Sequence, residues 1–160
     1  MIDPEQFRRA IGHFPAGVAV VTTRRPGGGP AGLTASAICS VSLEPTLILA
    51  CVSSASESHR YIGESGVFAI NILDDETGPE LARRFSIAGA AELKFQDVPH
   101  HPAATGAPVL DAALAWLDCR LHAAHAAGDH TIFVGEVERA DAREGSPLVY
   151  FRSRFGRLAP

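Results

Sequence analysis

Gly128-Asp129-His130-Thr131-Ile132-Phe133-Val134-Gly135-Glu136-Val137 decides the fold. Gly-Asp is a two-residue turn signal, and it stands directly ahead of an apolar run rich in β-formers, the pattern of a hairpin. Strand alternation puts His130, Ile132, Val134 and Glu136 on one face and Thr131, Phe133 and Val137 on the other. It also fixes an imidazole at the first position of a strand, where a sheet or barrel edge meets solvent. Such a ring titrates near neutral pH and can donate or accept a hydrogen bond. Taken alone, it reads as a surface histidine at a hairpin.

Working outward, Val109 to Leu114 and Ala115 to Ala124 read as a strand pair ahead of the turn. Pro147 to Phe151 reads as a strand after it, followed by a tail, Arg152 to Pro160. Toward the N-terminus, Asp3 to Ile11 reads as a short helix, with Asp3 as N-cap, Pro4 at the first helical position, and Phe7 and Ile11 on one face. Val18 to Thr23 is a strand, Pro26 to Pro30 a hairpin loop, and Gly32 to Ala37 a run of small residues leading into Cys39 to Leu43. Glu44-Pro45 is a turn and Thr46 to Val52 a buried strand. A polar loop, Ser53 to Ser58, opens a helix from about Ser58 to Glu64 that Gly66 caps. Val67 to Leu73 is a strand, Thr77 to Phe85 a helix, and Phe95 to Pro108 a loop. The expectation is six or seven strands with two or three short helices and no βαβ rhythm. That makes the chain mainly β, an antiparallel barrel with peripheral helices, in one domain spanning residues 1–160.

The bulk numbers agree. Of 160 residues, 46% are hydrophobic and 20% charged, and the net charge is −4; this is a globular composition with no basic stripe for nucleic acid. Thirteen of the fourteen basic residues are Arg, with Lys94 the exception, which reads as coding bias. The longest apolar runs, Leu47 to Val52 among them, are too short to span a bilayer. The N-terminus lacks the pattern of a signal peptide. Cys39, Cys51 and Cys119 read as buried reduced thiols of a cytoplasmic protein, with no paired spacing for zinc. His122 and His125 lie in an Ala-rich stretch without a carboxylate partner, so metal ligation is not expected.

No Gly-x-Ser-x-Gly elbow, phosphate loop or Gly-x-Gly-x-x-Gly fingerprint is present. Two hydroxyl-rich stretches carry more. Thr34-Ala35-Ser36 offers small side chains, so a flat ligand can approach the backbone N–H and C=O groups; tight strand packing is the plain alternative. Ser56 and Ser58 can cap the helix that follows, or combine with its N–H groups into an anion site. A flat-ring site and a phosphate site flanking one strand are what a flavin mononucleotide needs.

These stretches, in their order and spacing, resemble the flavin reductase-like family, the reductase partners of two-component flavin monooxygenases. The match is carried by Phe14 to Thr23, Gly32 to Ala37, Cys39 to Pro45, Phe68 to Leu73, Arg84-Phe85-Ser86, Gly128-Asp129-His130, Gly135-Glu136-Val137 and Pro147 to Phe151. The resemblance implies a split β-barrel, a homodimer with flavin near the interface, and reduction of FMN (or FAD) by NADH or NADPH for a partner monooxygenase. It also implies roles. Thr34, Ala35 and Ser36 line the ring; Cys51, Val52 and Ser53 end the strand beneath it; Ser56 and Ser58 hold the phosphate, with Phe85 and Ser86 completing that end. His130 positions the nicotinamide or moves a proton, with Tyr150 and Arg154 nearby. Ser53 stands where Asn is common in the family, and Ser153 replaces a frequent Gly. The rival readings are a non-redox flavin- or haem-binding barrel, and a flavin-dependent reductase of another organic or corrinoid substrate.

Overall fold

The computed structural model describes residues 1–158; of the expected tail, residues 159–160 lie outside it. Four helices are present among the described residues: α1 (Pro4–Ile11), α2 (Glu57–Ser65), α3 (Gly78–Ser86) and α4 (Ala91–Phe95). The strands are β1 (Ala16–Gly17), β2 (Ala19–Arg24), β3 (Pro30–Ala35), β4 (Ile38–Leu43), β5 (Thr46–Ser53), β6 (Val67–Ile72), β7 (His100–Pro102), β8 (Pro108–Leu110), β9 (Ala115–Ala127), β10 (His130–Ala142), β11 (Val149–Phe151) and β12 (Arg154–Gly156). No helix among them is long and apolar enough to cross a membrane.

One seven-stranded antiparallel sheet dominates, ordered β3-β2-β6-β9-β10-β5-β4. Its two edge strands, β3 and β4, are consecutive in the chain and joined only through Ser36 and Ala37. So short a link forces the two edges together, and the sheet must curl into a barrel. β3 and β4 do not pair with each other, so the barrel stays split at that seam. This is the expected antiparallel split β-barrel with peripheral short helices, and it sets Thr34-Ala35-Ser36 beside the seam.

Burial explains the strand patterns. In β2, Ala19 and Val21 fill the barrel with Ala50, Val52, Phe68 and Phe133, while Val20 packs outward with Leu81, Phe85 and Leu148. Both faces are covered, hence an unbroken apolar run. β5 has one face inside: Ile48, Ala50 and Val52 are buried, and Leu49, Cys51 and Ser53 are half-buried on the other side. Thr46 to Val52 is therefore a one-sided strand, not a wholly buried one. In β10, Phe133 and Gly135 face inward. A side chain at Gly135 would meet the Phe68 ring at 2.5 Å and Cys119 Cβ at 2.7 Å, so the two together require glycine there. Gly128, at φ 64°, makes the tight β9–β10 turn.

Several expectations need correction. Residues 95–108 are not all loop, because β7 lies in the stretch and pairs with β8. Leu110 N–H donates to the buried Asn71 Oδ1 at 2.8 Å, which anchors that pair on the sheet. Val109 to Leu114 thus contributes only the end of β8 and does not pair with β9. Asp3 occupies the N-cap of α1 without a side-chain cap, and α1 buries no residue. Cys119 is buried, and desolvation with the neighbouring Asp118 charge pushes its thiol up to about 12. Cys51 is half-buried and Cys39 is exposed, so the expectation of three buried thiols fails at Cys39. His122 does have a carboxylate across the hairpin, Glu136 at 3.9 Å.

α3 begins without help from Thr77, its N-cap. Asp74 Oδ1 instead accepts from the N–H groups of Glu76, Thr77 and Gly78. Burial pushes the Asp74 carboxyl up, but those bonds and its pairing with Arg143 outweigh it and hold the group below its usual range. The wall of the site described next is pinned this way.

Candidate functional site

A cleft of about 350 Å³ opens between β3, the β5–α2 loop, α3 and α4. Thr34, Ser53, Ser56, Ser58, Phe85 and Ser86 line it, together with Gly32, Glu57 and Lys94. Ser56 caps α2, its Oγ accepting from Ser58 N–H at 3.2 Å. A hydroxyl has one donor and two acceptor sites, so this cap leaves the Ser56 O–H free to donate to an anion. Capping and anion binding, alternatives on sequence alone, are compatible here. The Thr34 hydroxyl is committed elsewhere, to Ala82 O at 2.6 Å, and fixes β3 against α3. Ser86 Oγ likewise turns back to Arg83 O at 2.7 Å.

On the other side of the seam lies a second groove, about 520 Å³, walled by Ser36, Ile38, Cys39, Leu49, Cys51 and Tyr150 and by Ile11 and Phe14 of the N-terminal segment. Leu49, Cys51 and Ser53 share one face of β5. That face is a continuous track from the apolar groove, past Cys51, to the hydroxyl-lined cleft. Cys51 and Ser53 are two residues apart, about 7 Å along the strand. The track suits a ligand with a flat apolar head and a phosphate tail.

The other expected residues are placed differently. Ala35 and Val52 are buried in the barrel core, so only their backbone can meet a ligand. His130 lies opposite Ser53 in the β5–β10 register. Ser54 N–H donates to Asp129 O at 3.0 Å, which ties the hairpin tip to the cleft rim. The His130 ring lines neither cavity. Its Nδ1 is 2.7 Å from Asp129 Oδ1, and the ring holds the Asp129 carboxyl below its usual range through that hydrogen bond and its charge. Arg154 is exposed on β12 and also lines neither cavity.

Two residues escaped the sequence reading. Lys94 is 9% exposed, at the back of the cleft. Its only signal was being the lone lysine of an arginine-rich chain. His59 bonds Thr131 Oγ1 at 2.7 Å and stacks near Phe133, locking α2 onto β10; nothing in its local sequence marks it. Among the described residues no group of three or more His, Cys, Asp or Glu is placed to hold a metal.

The donor set fits a flavin phosphate: serine hydroxyls, a helix N-terminus and a buried ammonium at one end of an otherwise apolar track. Known proteins point the same way. Residues 11–159 match the family described as Flavin reductase like domain. The chain is 42% identical over 153 residues to a protein of Agrobacterium fabrum named FMN reductase (NADH) SmoA, covering 96% of this chain and 85% of that one. It is 40% identical over 159 residues to the reductase component of a 4-nitrophenol 4-monooxygenase/4-nitrocatechol 2-monooxygenase of Rhodococcus opacus, covering 99% of this chain and 83% of that one. It superposes with a TM-score of 0.88 and 35% identity on the Streptomyces globisporus NADH:FAD oxidoreductase SgcE6 in complex with NAD and FAD fragments, over 100% of this chain and 97% of that one. The chain belongs to the flavin reductase-like family.

Proposed function

We propose that this protein is an NADH-dependent flavin reductase that reduces FMN and supplies it to a partner monooxygenase. The observation that carries the reading is the β5 track, which joins an apolar groove to a cleft of hydroxyls and a buried cation. Relatives named as NADH-dependent FMN and flavin reductases, and as reductase components of monooxygenases, support it.

Bound flavin supplies a two-electron acceptor for the nicotinamide hydride. The protein's part is to hold and orient. Ser56 and Ser58 hold the phosphate at the N-terminus of α2. The backbone of Thr34 to Ser36, at the split seam, offers N–H and C=O groups to the polar edge of the ring, and N–H groups placed there would favour its negatively charged form. Asp129 fixes the His130 ring by its Nδ1, and the other ring nitrogen is left to hold the nicotinamide or move a proton.

The working unit in this reading is a homodimer. α1 buries no residue, and Phe7, Ile11, Phe14, Tyr150 and Phe151 are exposed on and around the second groove. A patch of that kind marks an association surface. The chain's free cysteines suit a reducing, cytoplasmic setting.

The test mixes purified protein with FMN and NADH and follows the nicotinamide absorbance band. The expected result is FMN-dependent NADH oxidation. No oxidation with NADH or NADPH would sink the reading in favour of a non-redox flavin-binding barrel.

A further inference from the structure

A further cavity, about 550 Å³, opens beyond the apolar groove, between α1 and the turn that joins β11 to β12. Arg8, Gly12, Arg152 and Ser153 line both, so the two cavities meet along that boundary. The boundary is fixed in place. Arg152 N–H donates to Gly12 O at 2.9 Å. His13 Nδ1 lies 2.8 Å from Arg9 O, and the His13 ring packs edge-on to Phe151 at 6.2 Å. Arg8, Arg9 and Arg152 line the cavity, against two carboxylates, Asp3 and Glu5. No ion pair among the described residues includes any of these five. Three guanidinium groups around one cavity repel one another. Core packing does not require the two on α1, because that helix buries no residue. Such a cluster suits an anion, and a guanidinium fork grips phosphate oxygens two at a time.

We infer that Arg8 and Arg152 hold the diphosphate of the nicotinamide dinucleotide while its nicotinamide lies in the apolar groove. The inference rests on the reductase reading above and adds the anchor for the hydride donor. The flavin does not supply this anion. Its phosphate belongs to the hydroxyl-lined cleft at the far end of the β5 track, and FAD carries its second phosphate and adenosine on that same tail. An anion at the opposite end of the track, next to the groove, is part of a second molecule. The donor has the matching layout, a flat ring joined through a ribose to two phosphates. Asp3 and Glu5 are acceptors for the ribose hydroxyls beyond them. The competing view is that the arginines only keep α1 solvated.

Steady-state kinetics at saturating FMN separates the two, with NADH and with N-benzyl dihydronicotinamide as donors. The benzyl donor carries the same reacting ring and no phosphate. Arg8→Gln and Arg152→Gln are each expected to lower kcat/KM for NADH relative to the benzyl donor about 20-fold, the scale of one charge-assisted hydrogen bond. The change should fall on KM for NADH. Arg152→Lys should recover part of the loss, because it keeps the charge and loses the fork. ADP, which carries the diphosphate without the nicotinamide, should compete with NADH in wild type and correspondingly less in each variant. A ratio between donors that keeps its wild-type value in both variants overturns the inference and leaves the reductase reading standing. So does an equal loss with both donors, which makes the arginines braces of the groove, and so does a wild type that uses the two donors equally well. A wild type that oxidises neither donor overturns both.

Discussion

The cleft at Lys94 and the groove beside α1 are built on the same face of β5, yet one is closed by its own chain and the other is not. The cleft's walls are tied together: Thr34 to Ala82 O, Ser58 N–H to Ser56, Lys94 to Gly32 O, and Phe85 edge-on to Phe95. The groove is bounded by a helix with no buried residue and by Phe14, which is 72% exposed. Its N-terminal wall is tied to the β11–β12 hairpin by Arg152 N–H to Gly12 O at 2.9 Å. A polar pocket can be completed by one chain's hydroxyls and charges. An apolar groove this open is completed by whatever covers it. The phosphate end should thus work in a monomer, and the ring and nicotinamide end should need the second copy.

Phe14→Asp strikes that difference hardest. A carboxylate in an association surface is expected to cost about 3 kcal/mol, roughly 150-fold in dimer affinity. Sedimentation should show the variant as a monomer at concentrations where wild type is a dimer, and NADH oxidation should fall with it. FMN binding through the phosphate should persist. A wild type that sediments as a monomer with full turnover would erase the distinction between the two cavities.

His130→Ala probes the rim between them. The hairpin tip is held by Ser54 N–H to Asp129 O, so loss of the ring should leave the cleft's shape intact. Hydride transfer is expected to slow about 100-fold, or nicotinamide binding to weaken, with FMN affinity unchanged. Stopped-flow mixing of NADH with the FMN complex measures both. Wild-type rate and nicotinamide affinity together would return His130 to a surface histidine.

The sequence exposed these two regions unequally. Strands announce themselves by apolar β-formers, as continuous runs in β2, β5 and β6 and by alternation in β10, and all four were legible for that reason. β7 and β8 were not, because three-residue strands containing proline carry no periodicity; they are held by Asn71, thirty-nine residues away from Leu110. Ser56 and Ser58 were legible because capping and phosphate binding use residues adjacent in the chain. Lys94 was not, since its meaning comes from burial against β3, sixty-two residues away. The split of the expected ring residues was equally hidden. Alternation alone does not say that Val52 faces the core while Cys51 and Ser53 face the track.

Ser56→Ala tests the closed cavity more gently. Losing the α2 cap should lower stability by about 1 kcal/mol, read by denaturant unfolding. Losing one hydroxyl donor should weaken FMN about fivefold and leave riboflavin unaffected. Unchanged FMN affinity alongside the lost stability would confine Ser56 to capping.

Ser153→Gly has the smallest expected effect and addresses the open groove. β11 and β12 pair with Phe151 opposite Arg154, so Arg152 and Ser153 form a two-residue hairpin turn. Both adopt left-handed backbone, with φ of 49° and 62°. The turn requires that conformation, and a residue with a Cβ is held in it at about 1 kcal/mol. Glycine at 153 removes the strain but gives the unfolded chain more freedom, so the net gain should be about 0.5 kcal/mol. For a chain of this size that raises Tm by about 1–2 °C. Both turn residues line the groove, whereas the cleft is across the seam, so FMN affinity should not move. A Tm that stays level or falls would mean the Ser153 side chain makes a compensating contact in the groove. The groove would then be more finished, within one chain, than its exposed apolar walls imply.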